Sequence, residues 1–146
     1  MTALVFVDTN VLLYRHDRDR PDKQSAAELW MAHLWRTRSG RVSVQVLQEF
    51  YVNVTQKLKP GLDRQSARQE VRELTTWHPI LLDSRVVSEA WELQDRYDLS
   101  FWDCLIAAAA RIAGCRFLLT EDLQHDQDLN GVRVLNPFIA RPSSFS

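Results

Sequence analysis

Four acidic residues occur in four separate stretches of the sequence, each close to the predicted end of a strand. Asp8 follows the apolar run LVFV, and Asp122 follows the run FLL by a similar short step. Glu49 lies early in the helix after a second predicted strand, and Asp103 lies in the first turn of an apolar helix. Ligands of open α/β sheets bind outside the carboxyl ends of the strands. We therefore expect the four carboxylates to meet at one edge of a sheet.

A cluster of carboxylates is unfavourable unless something compensates its charge. Two carboxylates about 4 Å apart repel by about 4 kcal/mol at an effective dielectric constant near 20. Such groups take up protons at a raised pKa or bind a cation. Oxygen ligands without a cysteine or a histidine pair suit Mg²⁺ or Mn²⁺ rather than Zn²⁺. Carboxylate-held ions of this kind serve phosphoryl transfer, so the residues point to metal-assisted phosphodiester hydrolysis.

Each acid also has a purely structural interpretation. Asp8 could cap the helix that follows it, and Asp103 could pair with Ser100 in a capping box, a role that is compatible with a site. Asp122 could be a turn residue. Glu49 falls among glutamine and asparagine side chains, which is typical of a solvent-exposed helix face.

Composition limits the class of protein without naming a function. The 146 residues are 45% hydrophobic and 25% charged, with a net charge of -1, as in an ordinary globular domain without a strongly basic surface. The two cysteines form no CxxC pair or Cys/His cluster, which argues against a zinc site or a disulfide framework. No signal peptide and no apolar run of membrane-spanning length is recognised, so a cytoplasmic protein without membrane contact is expected.

The elements that must position the acids alternate along the whole chain. Apolar runs predict strands, and 3.6-residue periodicity predicts helices between them. This alternation indicates one α/β domain over residues 1–146, with a mostly parallel central sheet and helices on both faces. Residues 137–146 are expected to form a frayed tail. The predicted strands are residues 4–7, 41–44, 80–82, 116–119 and 132–135; the long apolar helix is 101–113.

Taken together, the four acidic segments resemble those of one known family, the PIN-domain ribonucleases. The segments are VDTNVLLY, SVQVLQEFYVN, LSFWDCLIAAAA and FLLTEDLQHD, and their order and spacing cover most of the chain. Its compact length also resembles that of VapC-type toxins of prokaryotic toxin–antitoxin pairs.

The resemblance implies a specific activity and a specific set of site residues. It implies an endoribonuclease that uses Mg²⁺ or Mn²⁺ and a metal-activated water to cleave RNA. It also implies a homodimer, silenced by a small antitoxin whose C-terminal segment fills the active-site groove. Carried over by position, the acidic quartet is Asp8, Glu49, Asp103 and Asp122; Asn10 and Ser43 match polar positions lining the site, and Asp126 could replace or assist Asp122.

Two other functions stay open at this stage. One is a PIN-like module that binds RNA or a partner without cutting it. The other is a receiver-like Mg²⁺-binding regulatory domain, which requires a lysine after a late strand, where this chain has Thr120-Glu121-Asp122. Arg15, Arg18 and Arg20 are candidates for phosphate contacts beside Asp8. The sequence names neither the RNA target nor the antitoxin.

Overall fold

Five β-strands and six α-helices form the regular structure of residues 2–145, the part of the chain that the computed structural model describes. Two short 3₁₀ turns, Thr75–Trp77 and Pro142–Phe145, complete it. The strands are β1 (Val5–Val7), β2 (Gly40–Arg41), β3 (Phe117–Leu119), β4 (Asp128–Leu129) and β5 (Val132–Leu135). The helices are α1 (Thr9–Tyr14), α2 (Pro21–Thr37), α3 (Val44–Gln56), α4 (Arg64–Leu74), α5 (Ser84–Tyr97) and α6 (Phe101–Ile112).

The strands form one sheet in the order β2-β1-β3-β5-β4. Neighbours pair in parallel except β4, which is antiparallel to β5. Every residue of β1 and β3 is buried, as expected for strands covered by helices on both faces. The predicted α/β fold with a mostly parallel sheet is confirmed.

Helix α6 is the most deeply buried helix by sequence pattern and in the structure. All seven residues from 104 to 110 are buried, including the run of four alanines. Their small side chains let α6 pack closely against the sheet and α5. This packing gives the segment that begins at Asp103 a rigid base. None of the helices in residues 2–145 is long and apolar enough to cross a membrane.

The second predicted strand is shorter than expected because a helix cap intervenes. The Ser43 hydroxyl accepts a hydrogen bond from the Val46 amide (3.2 Å), so the chain turns helical at Val44. The predicted strand at 80–82 is reduced to an isolated parallel bridge between Ile80 and Ser43. Both predictions placed extended chain correctly but overestimated its length.

The hairpin of β4 and β5 was missed, although the sequence contains its signal. Asn130 and Gly131 connect the two strands, with φ angles of 52° and 97°. A two-residue Asn-Gly turn with both φ angles positive is the connection that best matches the twist of a hairpin.

The C-terminal segment is better anchored than predicted. The Trp30 indole donates a hydrogen bond to the Ala140 carbonyl (2.9 Å), and the Phe138 ring makes an edge contact with Tyr14. The expectation of a frayed tail from residue 137 is therefore wrong for residues 137–140. Ser146 lies outside the described residues.

Candidate active site

The register between β1 and β3 brings two of the four acids together. Val7 lies opposite Leu119, so the two parallel strands end at the same level. Asp8 continues β1 and donates its backbone N–H to the Leu119 carbonyl (3.0 Å). Asp122 follows two residues after Thr120, at the end of β3. Both carboxylates consequently lie at the carboxyl edge of the sheet, as the sequence predicted.

A polar network links these two carboxylates through Thr120 and Asn10. The Thr120 hydroxyl donates to Asp8 Oδ2 (2.8 Å) and accepts from the Asp122 amide (3.1 Å). Asn10 Nδ2 lies 3.1 Å from Asp122 Oδ2, 3.1 Å from Thr120 Oγ1 and 3.4 Å from Asp8 Oδ2. With two hydrogens for three acceptors, the Asn10 amide bridges the two acids.

Asp8 also caps helix α1, and this structural role is compatible with a role in the site. Its Oδ1 accepts a hydrogen bond from the Thr9 amide (2.7 Å) at the start of α1. The residue is only 8% exposed. Burial raises the pKa of the Asp8 carboxyl to about 6, against the hydrogen bonds from Thr120 and Thr9, which lower it. The nearby charges of Asp122 and Glu49 raise this pKa further.

The other two acids approach the same edge from α3 and α6. Burial and then the charge of Asp122 raise the pKa of Glu49, although a hydrogen bond from Gln45 lowers it. The pKa of Asp122 is also raised, and burial is the largest cause. A hydrogen bond from Asn10 lowers this pKa, and the charge of Asp103 raises it. Each acid thus lies within electrostatic range of at least one other. Glu49 is half-buried, so the structure does not support a solvent-exposed helix position for it.

The side-chain oxygens at this edge are of the type that binds a hard divalent cation. Four buried side-chain oxygens lack a hydrogen-bond partner among the described residues: Thr9 Oγ1, Asn10 Oδ1, Gln45 Oε1 and Glu49 Oε1. Buried oxygens normally have partners, and a cation can supply one. Within residues 2–145, however, no three His, Cys, Asp or Glu side chains lie close enough to hold a metal ion in their present positions. The acids therefore lie near one another, but their side chains do not converge on one metal position.

The loop that carries Asp122 is held by its neighbour Glu121. Glu121 Oε1 accepts from the Tyr14 hydroxyl (2.5 Å), and its Oε2 pairs with Lys23 Nζ (2.8 Å). The Lys23 ammonium also lies 4.9 Å from the centroids of the Tyr14 and Phe138 rings. These contacts join the loop to α1, α2 and the C-terminal segment, and the sequence patterns did not indicate them.

The remaining candidates occupy different surroundings. Ser43 is fully buried and caps the helix that carries Glu49. Asp126 contacts His125 (3.5 Å), and its charge is not among the causes that raise the pKa of Asp8, Glu49 or Asp122. Arg15 forms an ion pair with Glu70 (3.2 Å), whereas Arg18 and Arg20 are exposed.

Thr120 is the site residue that the sequence reasoning missed. Its signal was present: a hydroxyl residue two positions before an acid, directly after an apolar strand. Its side chain is fully buried and makes three of the contacts in the polar network.

Removal of the Thr120 hydroxyl should impair the site while the fold is retained. Thr120→Val keeps the shape but leaves Asp8 Oδ2 and the Asp122 amide each without one partner. We expect the variant to lose about 1–3 kcal/mol of stability and about 10-fold or more in metal affinity. Urea unfolding and metal titration calorimetry measure the two quantities. Thr120→Ser, which restores the hydroxyl, should recover the metal affinity, and a Val variant with wild-type affinity would contradict the positioning role.

Comparison with known proteins identifies the family. The PIN domain family matches residues 5–127, which include all four acids. The chain belongs to the PIN domain family. None of the curated proteins matches the sequence.

Solved structures with the same fold include a toxin–antitoxin complex. The PIN domain resembles FitAcB from Neisseria gonorrhoeae (TM-score 0.66, 18% identity, 92% of this chain and 99% of that chain). A toxin–antitoxin complex from Klebsiella pneumoniae matches with TM-score 0.62 and 18% identity over 91% and 97% of the two chains. VapBC2 from Rickettsia felis, bound to a DNA fragment from their promoter, matches with TM-score 0.56 and 16% identity over 90% and 96%. At these identities the similarity shows the shared fold.

The sheet also distinguishes this PIN domain from a receiver. Receiver-like doubly wound proteins have five parallel strands in the order 2-1-3-4-5. Here the order is β2-β1-β3-β5-β4 and the edge strand is antiparallel. Together with the family match, this topology argues against the receiver-like alternative.

Proposed function

We propose that this PIN domain is a metal-dependent endoribonuclease that hydrolyses RNA phosphodiester bonds. PIN domains are generally nucleases. The observation that carries the proposal is the network at the ends of β1 and β3, where Thr120 and Asn10 link two carboxylates. An arrangement that raises the pKa of buried acids and leaves buried oxygens without partners favours a bound cation over a purely structural role.

Within this proposal each residue has a definite task. Asp8, Glu49 and Asp103 hold Mg²⁺ or Mn²⁺, and Asp122 binds it directly or through water. The cation, when bound, neutralises phosphate charge and activates the attacking water. Asn10 and Thr120 orient the Asp8 and Asp122 carboxylates, and Ser43 fixes the start of the helix that carries Glu49. Asp126 stands as the alternative to Asp122, since it follows closely in the same loop region.

Cleavage of a mixed pool of structured RNAs, in Mg²⁺, in Mn²⁺ and in EDTA, tests the proposal. We expect cutting with either metal and none with EDTA. Failure to cut in any metal, together with calorimetric Mg²⁺ binding and measurable RNA binding, would favour the alternative of a PIN module that binds without catalysis. Absence of both metal and RNA binding would reject the nuclease.

We further propose that the nuclease is the toxin of a VapBC-type pair that acts on cytoplasmic RNA. The structures that share its fold include a toxin–antitoxin complex and a VapBC protein, and the matches cover nearly the full length of those chains. Under this proposal the domain forms a homodimer, and a small antitoxin blocks the carboxylate edge.

Arg18 and Arg20 are proposed to contact RNA phosphates, and Arg15 contributes less because Glu70 already pairs with it. The double variant Arg18→Ala/Arg20→Ala should reduce the slope of log affinity against log salt by about 1–2, since each phosphate contact to single-stranded RNA contributes about 0.7. Binding isotherms at several salt concentrations measure this slope. Arg85→Ala, at an exposed arginine of α5, is the control. An unchanged slope in the double variant would remove the arginines from the interface.

A further inference from the structure

Trp102 is the most exposed tryptophan of the described chain, and it is adjacent to a proposed metal ligand. It is the second residue of α6, directly before Asp103, and 66% of its surface is exposed. A large apolar ring exposed one residue before a proposed metal ligand is available to contact what binds at the site.

The ring is exposed on a rigid support. Ser100 caps α6 by accepting a hydrogen bond from the Asp103 amide (3.2 Å), and the helix is buried from Cys104 to Ala110. The neighbouring Phe101 ring contacts Trp102 edge to face, with centroids 5.5 Å apart and planes at 69°. One edge contact leaves most of the indole free, as the exposed fraction shows. Trp102 therefore offers a preorganised aromatic surface whose position relative to Asp103 is set by the helix.

Charge gives this domain little general affinity for a polyanion. Its net charge is -1, and the candidate site itself is a group of carboxylates. With few basic side chains to contact its phosphates, a strand that passes the site gains from an additional hold that does not depend on positive charge. Stacking of bases on an aromatic side chain provides such a hold, and it acts on unpaired bases of any identity.

We propose that Trp102 stacks on an unpaired nucleobase of the RNA strand that is cut at the carboxylate edge. This inference rests on the proposed nuclease function. It makes Trp102 a substrate-binding residue for single-stranded segments, because a paired base has no free face to offer. The stacked nucleotide places the neighbouring phosphate beside Asp103.

The chain contains a matched control for this role. Trp91 is also a largely exposed tryptophan (55%). It lies within α5, six residues before the end of that helix at Tyr97, and not beside any of the four acids in sequence. Loss of this ring removes a similar exposed surface at a place where no base is proposed to stack.

The test uses the Asp8→Asn background, so that single-stranded oligoribonucleotides bind without being cut. Trp102→Ala should weaken binding about 10- to 100-fold, Trp102→Phe should retain most of it, and Trp102→Leu should not. Trp91→Ala should bind like its parent. In an otherwise wild-type chain, Trp102→Ala should raise KM for RNA cleavage with little change in kcat. Abasic nucleotides placed along the oligomer should weaken binding at one position only, and this loss should vanish in Trp102→Ala.

The possible outcomes separate this inference from the nuclease proposal. RNA cleavage in the wild type with unchanged KM and binding in Trp102→Ala overturns the stacking role and leaves the nuclease intact. Trp102-dependent binding without cleavage supports stacking and rejects catalysis. A lower molecular mass of Trp102→Ala by light scattering would show that the ring is buried between two copies, which overturns the inference. Absence of RNA binding in every variant overturns both.

Discussion

Asp8→Asn should abolish metal-dependent RNA cleavage, with kcat reduced by about 10²–10³-fold or more. The expected size is that of removing a preorganised electrostatic group from an active site. The substitution keeps the shape of the side chain and an acceptor for the Thr9 amide. It removes the negative charge that a divalent cation requires at this position. The loss should therefore arise in catalysis and metal binding rather than in folding.

Single-turnover cleavage of one defined RNA, with saturating Mg²⁺, measures this effect. Asp95→Asn, at an exposed position of α5, is the matched control and should cleave like the wild type. Asp122→Asn and Asp126→Asn, assayed in parallel, decide which of these two is the fourth acid. Because only Asp122 is linked by Asn10 and Thr120 to Asp8, we expect the larger loss for Asp122→Asn. Full activity of Asp8→Asn would remove Asp8 from the site.

The same variant should be more stable than the wild type at pH 7.5 without metal. The pKa of Asp8 is raised from 3.8 to about 6 in the folded state, chiefly by burial. Below pH 3.8 the carboxyl is protonated in both the folded and the unfolded chain and does not oppose folding. Between pH 3.8 and 6 the unfolded chain releases this proton more readily, so the stability falls as pH rises. Above pH 6 the loss is on the order of 3 kcal/mol, at about 1.36 kcal/mol per pKa unit.

Urea unfolding at pH 3.5 and 7.5, in EDTA, tests this prediction. The difference in stability between Asp8→Asn and wild type should be small at pH 3.5 and favour the variant at pH 7.5. Mg²⁺ should raise the midpoint of the wild type and not that of the variant, because only a state that binds the ion is stabilised by it. A variant less stable than wild type at pH 7.5 would mean that Asp8 acts mainly as the cap of α1.

The fold could be predicted because its signals are local. The apolar runs around Phe6 and Leu118 are buried on both faces, and the apolar stretch from Cys104 to Ala110 is a buried helix, as their patterns indicated. The errors also have local causes. Ser43 ends a predicted strand by capping α3, and the hairpin at Asn130 was overlooked despite its turn signal.

The sequence by itself determined the fold class, the order of the elements and the four acidic segments that lie within the match to the PIN domain family. It could do so because each acid follows or begins an element whose pattern is readable from its neighbours alone. It could not show how the acids are connected, since the bonds among Asp8, Asn10, Thr120 and Asp122 join residues about 110 positions apart. Those contacts depend on the register of β1 against β3, which places Val7 opposite Leu119.

The tertiary structure also decided which side chains are in solvent. The ring of Trp102 is exposed because a residue in the first turn of a helix is covered only where another element packs over it, and the neighbouring sequence does not show whether one does. Burial of Asp8 is a similar case. The carboxyl has a pKa of about 6 only because the sheet edge and its covering helices exclude water from it, and no local pattern records that exclusion.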